Sequence, residues 1–511
     1  MQVPFNVMDY LKRAAFVCGA RCAITDEPGA QGSLGTISYR ELLALANGMA
    51  AELDRLGVGV GERVAIVSPN AAKFLVALFG VSGSGRMLVP INYRLNAGEV
   101  DYIVQHSGAS VLLIDVELEE SLANINCQHK VILDGVHDAD LFTSVDELPR
   151  WEPEDENFVA SVNYTSGTTA RPKGVRLTHR NCWLNAMAMG WHLGISDRDV
   201  YLHTLPTFHC NGWGIPYAVT AMGCHQVIIR KIDGENILAR IEQYGVTLLC
   251  GAPTVVSLIL QAAESRRANG REIPGKGRVR MVVAGAPPPS VVIEQVETLL
   301  GWEFIQLYGL TETSPLVAFN RAPREWDGLE PAERARLLSR AGPPGIGVVL
   351  RTDDNGEVMT RSNYVFDGYW EQPKETADVV KGGWFHTGDA GVVSDAYLTI
   401  MDRKKDIIIT GGENVSSIEV ENCLYQHESV AEACVIGVPH DKWGETVKAL
   451  VVRRPDRSLD EQTLISFCRE RLAHYKCPTS VEFRESLQRT ATGKLQKYRM
   501  RQSYWDEDKP S

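Results

Sequence analysis

Apolar residues recur along most of this chain at two alternating spacings. From 39 to 57 (YRELLALANGMAAELDRLG) they follow helical spacing and stop at Gly57, which predicts a helix closed by a glycine C-cap. GERVAIVSPN then reads as a short buried strand ended by a Pro-Asn turn, AKFLVALFGV as a helix and MLVPI as a strand. The alternation returns over 198–230, 245–260 and 279–300. Strand and helix signals in turn predict a layered α/β architecture with parallel strands.

The pattern changes beyond 320. Residues 320–345 are charged and bounded by prolines, with one helix expected over 330–340 and Pro331 near its first position, where a missing N–H costs nothing. Over 348–356 and 391–401 the signal is short strands and turns, expected to form a small β-barrel-like subdomain. After Asp402-Arg403-Lys404-Lys405-Asp406 the composition resets into a helix over 417–426, strands over 431–438 and 447–453, and a helix over 460–474. That is a unit of about a hundred residues, the size of a small α+β domain. The expected division is a large N-terminal α/β domain over 1–402, a junction at 403–405 and a small C-terminal domain over 406–511.

Charge narrows the function. Lys and Arg number 52 against 64 Asp and Glu, a net charge of −12, so nothing draws the chain as a whole to nucleic acid or anionic membranes. A phosphate ligand would need locally placed donors. The 11 cysteines include no CxxC pair, which fits reduced thiols and a cytoplasmic protein. The apolar stretch 14–20 is too short to span a bilayer and reads as part of an amphipathic helix.

The strongest chemical signal is Tyr164-Thr165-Ser166-Gly167-Thr168-Thr169-Ala170-Arg171-Pro172-Lys173-Gly174, placed as a turn after an apolar strand over 158–162. Hydroxyls and backbone N–H groups in a glycine-permitted concavity can wrap phosphate oxygens, and Lys173 adds charge. Gly174 stands where a Walker A loop needs Ser or Thr, so it is not that motif. Gly285-Ala286-Pro287 and Tyr308-Gly309-Leu310-Thr311-Glu312-Thr313 each follow an apolar strand and would sit at carboxyl ends of parallel strands, where open sheets bind ligands. Tyr308 offers a face for a purine, Thr311 a donor for phosphate, and Glu312 a hard oxygen for Mg²⁺. Asp389, in WFHTGD, is expected just past a turn as a ribose acceptor. His203, His209 and Cys210 have no partner pair at zinc spacing.

TSGTTARPKG resembles the phosphate-binding signature of the adenylate-forming superfamily, which includes acyl-CoA synthetases, and the likeness extends from SYRELLALANGMAAELDRLG to RTATGKLQK. The resemblance implies ATP, Mg²⁺ and CoA as ligands, Thr165 to Thr169 and Lys173 around phosphate, Gly285 to Pro287 and Gly309 beside the nucleotide, and Tyr308, Thr311 and Glu312 as adenine platform, α-phosphate contact and metal ligand. It implies that Asp389 binds ribose and that Arg403 reaches ribose or phosphate. His209 then borders the acyl pocket, and Gly411-Gly412-Glu413 face the pantetheine arm. Lys494 swings in on a C-terminal domain that rotates about Arg403 to Lys405. The implied reaction converts a carboxylic acid to an acyl-adenylate with release of pyrophosphate, then to a CoA thioester. Motif likeness to medium- and long-chain ligases, with room ascribed to Gly214, Gly285 and Gly309, suggests a fatty or other bulky hydrophobic acid. Transfer to a carrier protein, or a non-catalytic binding role, stays open. Departures from the family pattern are Ala170 for the usual Gly, Gln488 for the usual Pro, and a shortened segment over 350–356.

Overall fold

The computed structural model describes residues 1, 3–146, 151–165, 171–404, 406–454, 457–489 and 495–506. The expected parallel strands form two large sheets. In the eight-stranded sheet, Cys22–Thr25, His225–Ile228, Val200–His203, Leu248–Gly251, Arg280–Val283 and Glu303–Tyr308 run parallel, with antiparallel strands at both edges. In the seven-stranded sheet, Val159–Thr165, Met87–Ile91, Arg63–Val67, Ala109–Asp115 and His129–Leu133 run parallel, and Lys173–Thr178 and Gly368–Tyr369 extend it antiparallel.

Helices cover both faces of both sheets, as parallel strands buried on two sides require. Tyr39–Arg55 opens on a capping box in which Ser38 and Glu41 satisfy each other's backbone N–H. Its apolar face and the wholly buried helix Ala72–Gly80 lie in one core shared by the two sheets, where Phe79 meets Tyr217 edge to face with centroids 5.5 Å apart. Lys73 sits inside that core and is neutralised by buried Asp138. A second core packs the helices Gly234–Tyr244 and Pro253–Ala268 on the far face of the eight-stranded sheet. Full burial of each large apolar side chain in these cores contributes about 1.5–3 kcal/mol.

The expected β-barrel-like region is an antiparallel five-stranded sheet of Val348–Thr352, Glu357–Ser362, Val380–Lys381, Trp384–Ser394 and Tyr397–Arg403. A last sheet pairs Val430–His440 with Gly444–Arg453, flanked by Ile408–Thr410, Glu413–Val415 and Ser480–Phe483. Helix Ser417–Leu424 packs on it, and the helix expected over 460–474 stops at Arg469, with a separate 3₁₀ turn His474–Lys476 after it. The helix expected over 330–340 is Pro331–Leu338, with its proline at the N-terminus. Among the described residues no helix is long and apolar enough to cross a membrane.

Candidate functional site

The signature loop leaves one strand and returns on its neighbour. The strand expected over 158–162 continues to Thr165, so Tyr164 and Thr165 are strand residues and not part of the turn. Thr165 pairs with Lys173, which opens the antiparallel return strand. Pro172 suits that return because it disfavours helical geometry at Arg171. Ser166, Gly167, Thr168 and Thr169 lie outside the described residues, as do Lys405 and Lys494.

Two short chains of contacts stand beside this hairpin. In the first, the Lys173 ammonium lies 4.9 Å from the centroid of the Tyr369 ring, and the Tyr369 hydroxyl donates to Glu312 Oε1 at 2.9 Å. Burial, then the Glu312 charge, push the Tyr369 hydroxyl far above its ordinary pKa, so it remains a donor at neutral pH. Glu312 sits in the 3₁₀ turn Thr311–Thr313, and its carbonyl accepts from Phe366 N–H at 2.8 Å. Thr313 Oγ1 locks the turn by accepting from Leu310 N–H and donating to Leu310 C=O, both at 3.0 Å.

In the second chain, the Tyr308 hydroxyl donates to Asp389 Oδ2 at 2.6 Å, and Arg403 Nε lies 2.7 Å from Asp389 Oδ1. Asp389 is buried. It lies within the strand Trp384–Ser394, opposite Arg403 in the ladder, and this corrects its expected place past a turn. Pairing across two strands is what aims the carboxylate at Tyr308. Burial, then Asp389, hold the Tyr308 pKa well above its usual range.

Tyr308 ends its strand beside Arg280–Val283, which leads to Gly285-Ala286-Pro287, so both motifs do occupy carboxyl ends of adjacent parallel strands. Gly285 has φ +95°, a conformation that favours glycine. The space ascribed to Gly309 and Gly214 is filled. A Cβ on Gly309 would lie 1.4 Å from the Pro315 carbonyl oxygen, and one on Gly214 would lie 2.4 Å from Asn185 Nδ2. Close neighbours within the chain account for glycine at both positions.

His209 is half-buried and directly precedes the short helical turn Cys210–Trp213. The buried Cys210 thiol is raised well above its ordinary range by burial first, with Cys182 and Glu312 adding to it and the nearby Thr311 hydroxyl opposing it. Thr311 and His209 are therefore neighbours through Cys210. Gly411 and Gly412, with φ +58° and +89°, turn the hairpin between Ile408–Thr410 and Glu413–Val415. Gly411 N–H donates to Trp443 C=O at 3.1 Å, and a Cβ on Gly411 would meet the Trp443 ring at 2.9 Å. This turn thus belongs to the C-terminal sheet. Lys404 bonds Glu357 at 3.1 Å.

Three residues here had no role assigned by the motifs. Tyr369 bridges Lys173 to Glu312, Lys497 lies in an ion network with Glu421 and Asp402, and Asn211 holds a polar ring described below. Among the described residues no cluster of three His, Cys, Asp or Glu could cage a metal. Glu312 alone suits Mg²⁺, which takes one or two carboxylates and completes its shell with phosphates and water.

The family model described as AMP-binding enzyme matches residues 11–370, and the AMP-binding enzyme C-terminal domain matches 419–494. The chain belongs to the AMP-binding enzyme family. This AMP-binding enzyme is 34% identical to a 2-methylpropanoate–CoA ligase of Humulus lupulus, over 98% of this chain and 95% of the relative. ATP-bound MatB from Rhodopseudomonas palustris superposes with a TM-score of 0.85 at 27% identity, covering 98% of this chain and 100% of that one. The anthranilate CoA ligase AuaEII in complex with anthranoyl-AMP gives 0.87 at 25% identity, covering 99% and 98%.

Proposed function

We propose that this AMP-binding enzyme is an AMP-forming acid–CoA ligase with ATP, Mg²⁺ and CoA as co-reactants. The reading is carried by the convergence of Lys173–Tyr369–Glu312 and Tyr308–Asp389–Arg403 at one end of the sheets. The first set faces phosphate: Lys173 supplies charge and Thr165 leads into the hydroxyl-rich loop. Glu312, oriented by Tyr369, would hold Mg²⁺, which when bound neutralises charge building on the phosphates. The second set faces the nucleoside, with Asp389 accepting from ribose hydroxyls, Tyr308 offering its ring to adenine, and Arg403 within reach of ribose or phosphate.

The acid's carboxylate oxygen attacks the α-phosphorus in line, the bond to the bridging oxygen breaks, and pyrophosphate leaves with its electron pair. Thr311 donates to the α-phosphate, His209 borders the acid, and Lys494 offsets the two anions during this step. Domain 406–511 then turns on 403–405 relative to domain 1–402. Lys494 withdraws and Gly411-Gly412-Glu413 admit the CoA thiol, whose sulfur bonds the acyl carbon as AMP departs and a proton is released. The relatives named above, for a branched short acid and a small aromatic acid, favour a compact acid over a long fatty one. Eleven unpaired thiols suit a reducing cytoplasm.

The test measures pyrophosphate release and thioester formation over branched, hydroxylated, aromatic and fatty acids, with and without CoA. Release that depends on a compact acid, and thioester only with CoA, is the expected result. Release with no thioester would move the acceptor to a carrier protein, and no acid-dependent release at all would leave only a binding role.

A further inference from the structure

Residues Cys210, Asn211, Gly212, Trp213 and Gly214 have φ of 47°, 52°, 61°, 59° and 73°, a complete left-handed turn beside His209. Asn tolerates that region as a single residue, but a run that includes Cys and Trp is costly, about 1–2 kcal/mol for each non-glycine residue. Such strain persists only where the surroundings over-determine it.

The surroundings do so through three buried polar side chains. The Ser161 hydroxyl donates to Asn163 Oδ1 at 2.9 Å, Asn163 Nδ2 donates to Asn211 Oδ1 at 3.1 Å, and Asn211 Nδ2 donates to Ser161 Oγ at 2.8 Å. Within the ring each residue donates once and accepts once, so the ring is closed, and Asn211 Nδ2 also points to Cys182 Sγ at 4.0 Å. All three residues are at most 2% exposed. Asn185 Nδ2 adds a bond to the Trp213 carbonyl at 3.0 Å, at the end of the turn.

The ring joins segments with different tasks. Ser161 and Asn163 lie two apart on the strand that ends at Thr165, so their side chains share a face. Asn211 belongs to the turn Cys210–Trp213 that directly follows His209. A closed, buried ring fixes the offset between these segments more tightly than three independent contacts would.

We propose that the Ser161–Asn163–Asn211 ring is a positioning device that sets the acid-binding turn at His209 against the strand that feeds the phosphate loop. Asn211 is its central positioning residue. This inference rests on the ligase reading above. Its consequence is specific to one half-reaction: adenylation needs carboxylate and α-phosphorus aligned, and a misplacement of about 1 Å can cost on the order of 100-fold. Attack of CoA on an acyl-adenylate already formed does not need that alignment, because the two groups are by then covalently joined.

The experiment uses full-length Asn211→Gly and Ser161→Ala. Asn211→Gly keeps the left-handed freedom and relieves strain while opening the ring, and Ser161→Ala opens it from the strand side with little change of volume. Acid-dependent ATP–pyrophosphate exchange, the KM values for acid and ATP, thioester formation from supplied acyl-adenylate and CoA, and the melting temperature are measured for both. The expected result is a fall of roughly 10–100-fold in kcat/KM for exchange. Thioester formation from supplied adenylate should stay within about threefold, because that step bypasses the alignment. Exchange equal to wild type in either variant overturns the proposal. So does an equal loss in both half-reactions together with a lowered melting temperature, which is the mark of a merely structural role. If one variant fails to fold, the other decides alone. Wild-type protein that shows no acid-dependent exchange on any acid removes the ligase reading and this inference with it.

Discussion

Substituting Tyr308 by Phe and Asp389 by Asn, singly and together, tests whether the proposed nucleoside end of the site is pre-oriented. The Tyr308 hydroxyl donates to a buried carboxylate at 2.6 Å, and Arg403 holds the other oxygen at 2.7 Å. A hydrogen bond to a charged group contributes about 1.5–3 kcal/mol. Tyr308→Phe keeps the ring available to adenine and removes only the donor, so its effect on ATP must pass through the carboxylate. Part of the lost bond then appears as weaker binding, roughly 5- to 30-fold in ATP Kd if about 1–2 kcal/mol is transmitted. Asp389→Asn keeps the shape and removes the charge, leaving Arg403 without its partner. In the double variant Tyr308→Phe should cost little more, since the charged acceptor is already gone. The coupling energy is therefore expected near 1–2 kcal/mol, well above the scatter of about 0.3–0.5 kcal/mol seen for independent sites. Calorimetric ATP titration at fixed Mg²⁺ over the four proteins measures it. Additive losses, or wild-type ATP affinity in Tyr308→Phe, would refute the coupled arrangement.

Lys494→Ala should abolish acyl-adenylate formation yet still turn over supplied acyl-adenylate with CoA; equal loss of both half-reactions contradicts the two-conformation scheme. Lys497→Met should destabilise the C-terminal domain by about 3–5 kcal/mol, because it strands Glu421, 2.9 Å away, beside Asp402. Glu421 already has a raised pKa, chiefly from burial and against the pull of Lys497. With the lysine gone it rises further, so the variant's stability is greatest at low pH and is lost as pH climbs through that value. Thermal melts should show a larger deficit at pH 8 than at pH 5, and Lys497→Met with Glu421→Gln should narrow it; a pH-independent deficit counts against the network. Burial lowers His203 from 6.5 to about 4 while its Nε2 contacts Gln226 Oε1 at 3.1 Å. The unfolded chain then binds the extra proton, so stability is full above about pH 6.5 and falls between there and about pH 4. His203→Gln should flatten that slope in acid melts, and an unchanged slope would assign it to other groups.

The parallel sheets were legible because their strands are apolar on both faces, as in Val64 to Val67 and Val111 to Ile114. The site motifs were legible because local order carried them, Tyr308 to Thr313 above all. What escaped depends on contacts between residues far apart in the chain. Tyr369 reaches Glu312 across 57 positions, and nothing in DGYW announces it. Asp389 was expected just past a turn, yet the ladder with Arg403 places it within a strand. Gly214 and Gly309 are explained by close neighbours, Asn185 and the Pro315 carbonyl, that the sequence did not announce. A glycine records that something comes close, and the sequence cannot say whether that is a ligand or the chain itself. The left-handed turn at Cys210 to Gly214 illustrates the same point from the other side. Its two glycines and Asn211 permit the conformation, but Cys210 and Trp213 adopt it in a turn tied to Ser161 and Asn163 of a distant strand. Groups that do chemistry must carry distinctive atoms and so mark the sequence. Groups that set the distance between them need only fit, and so leave no such mark.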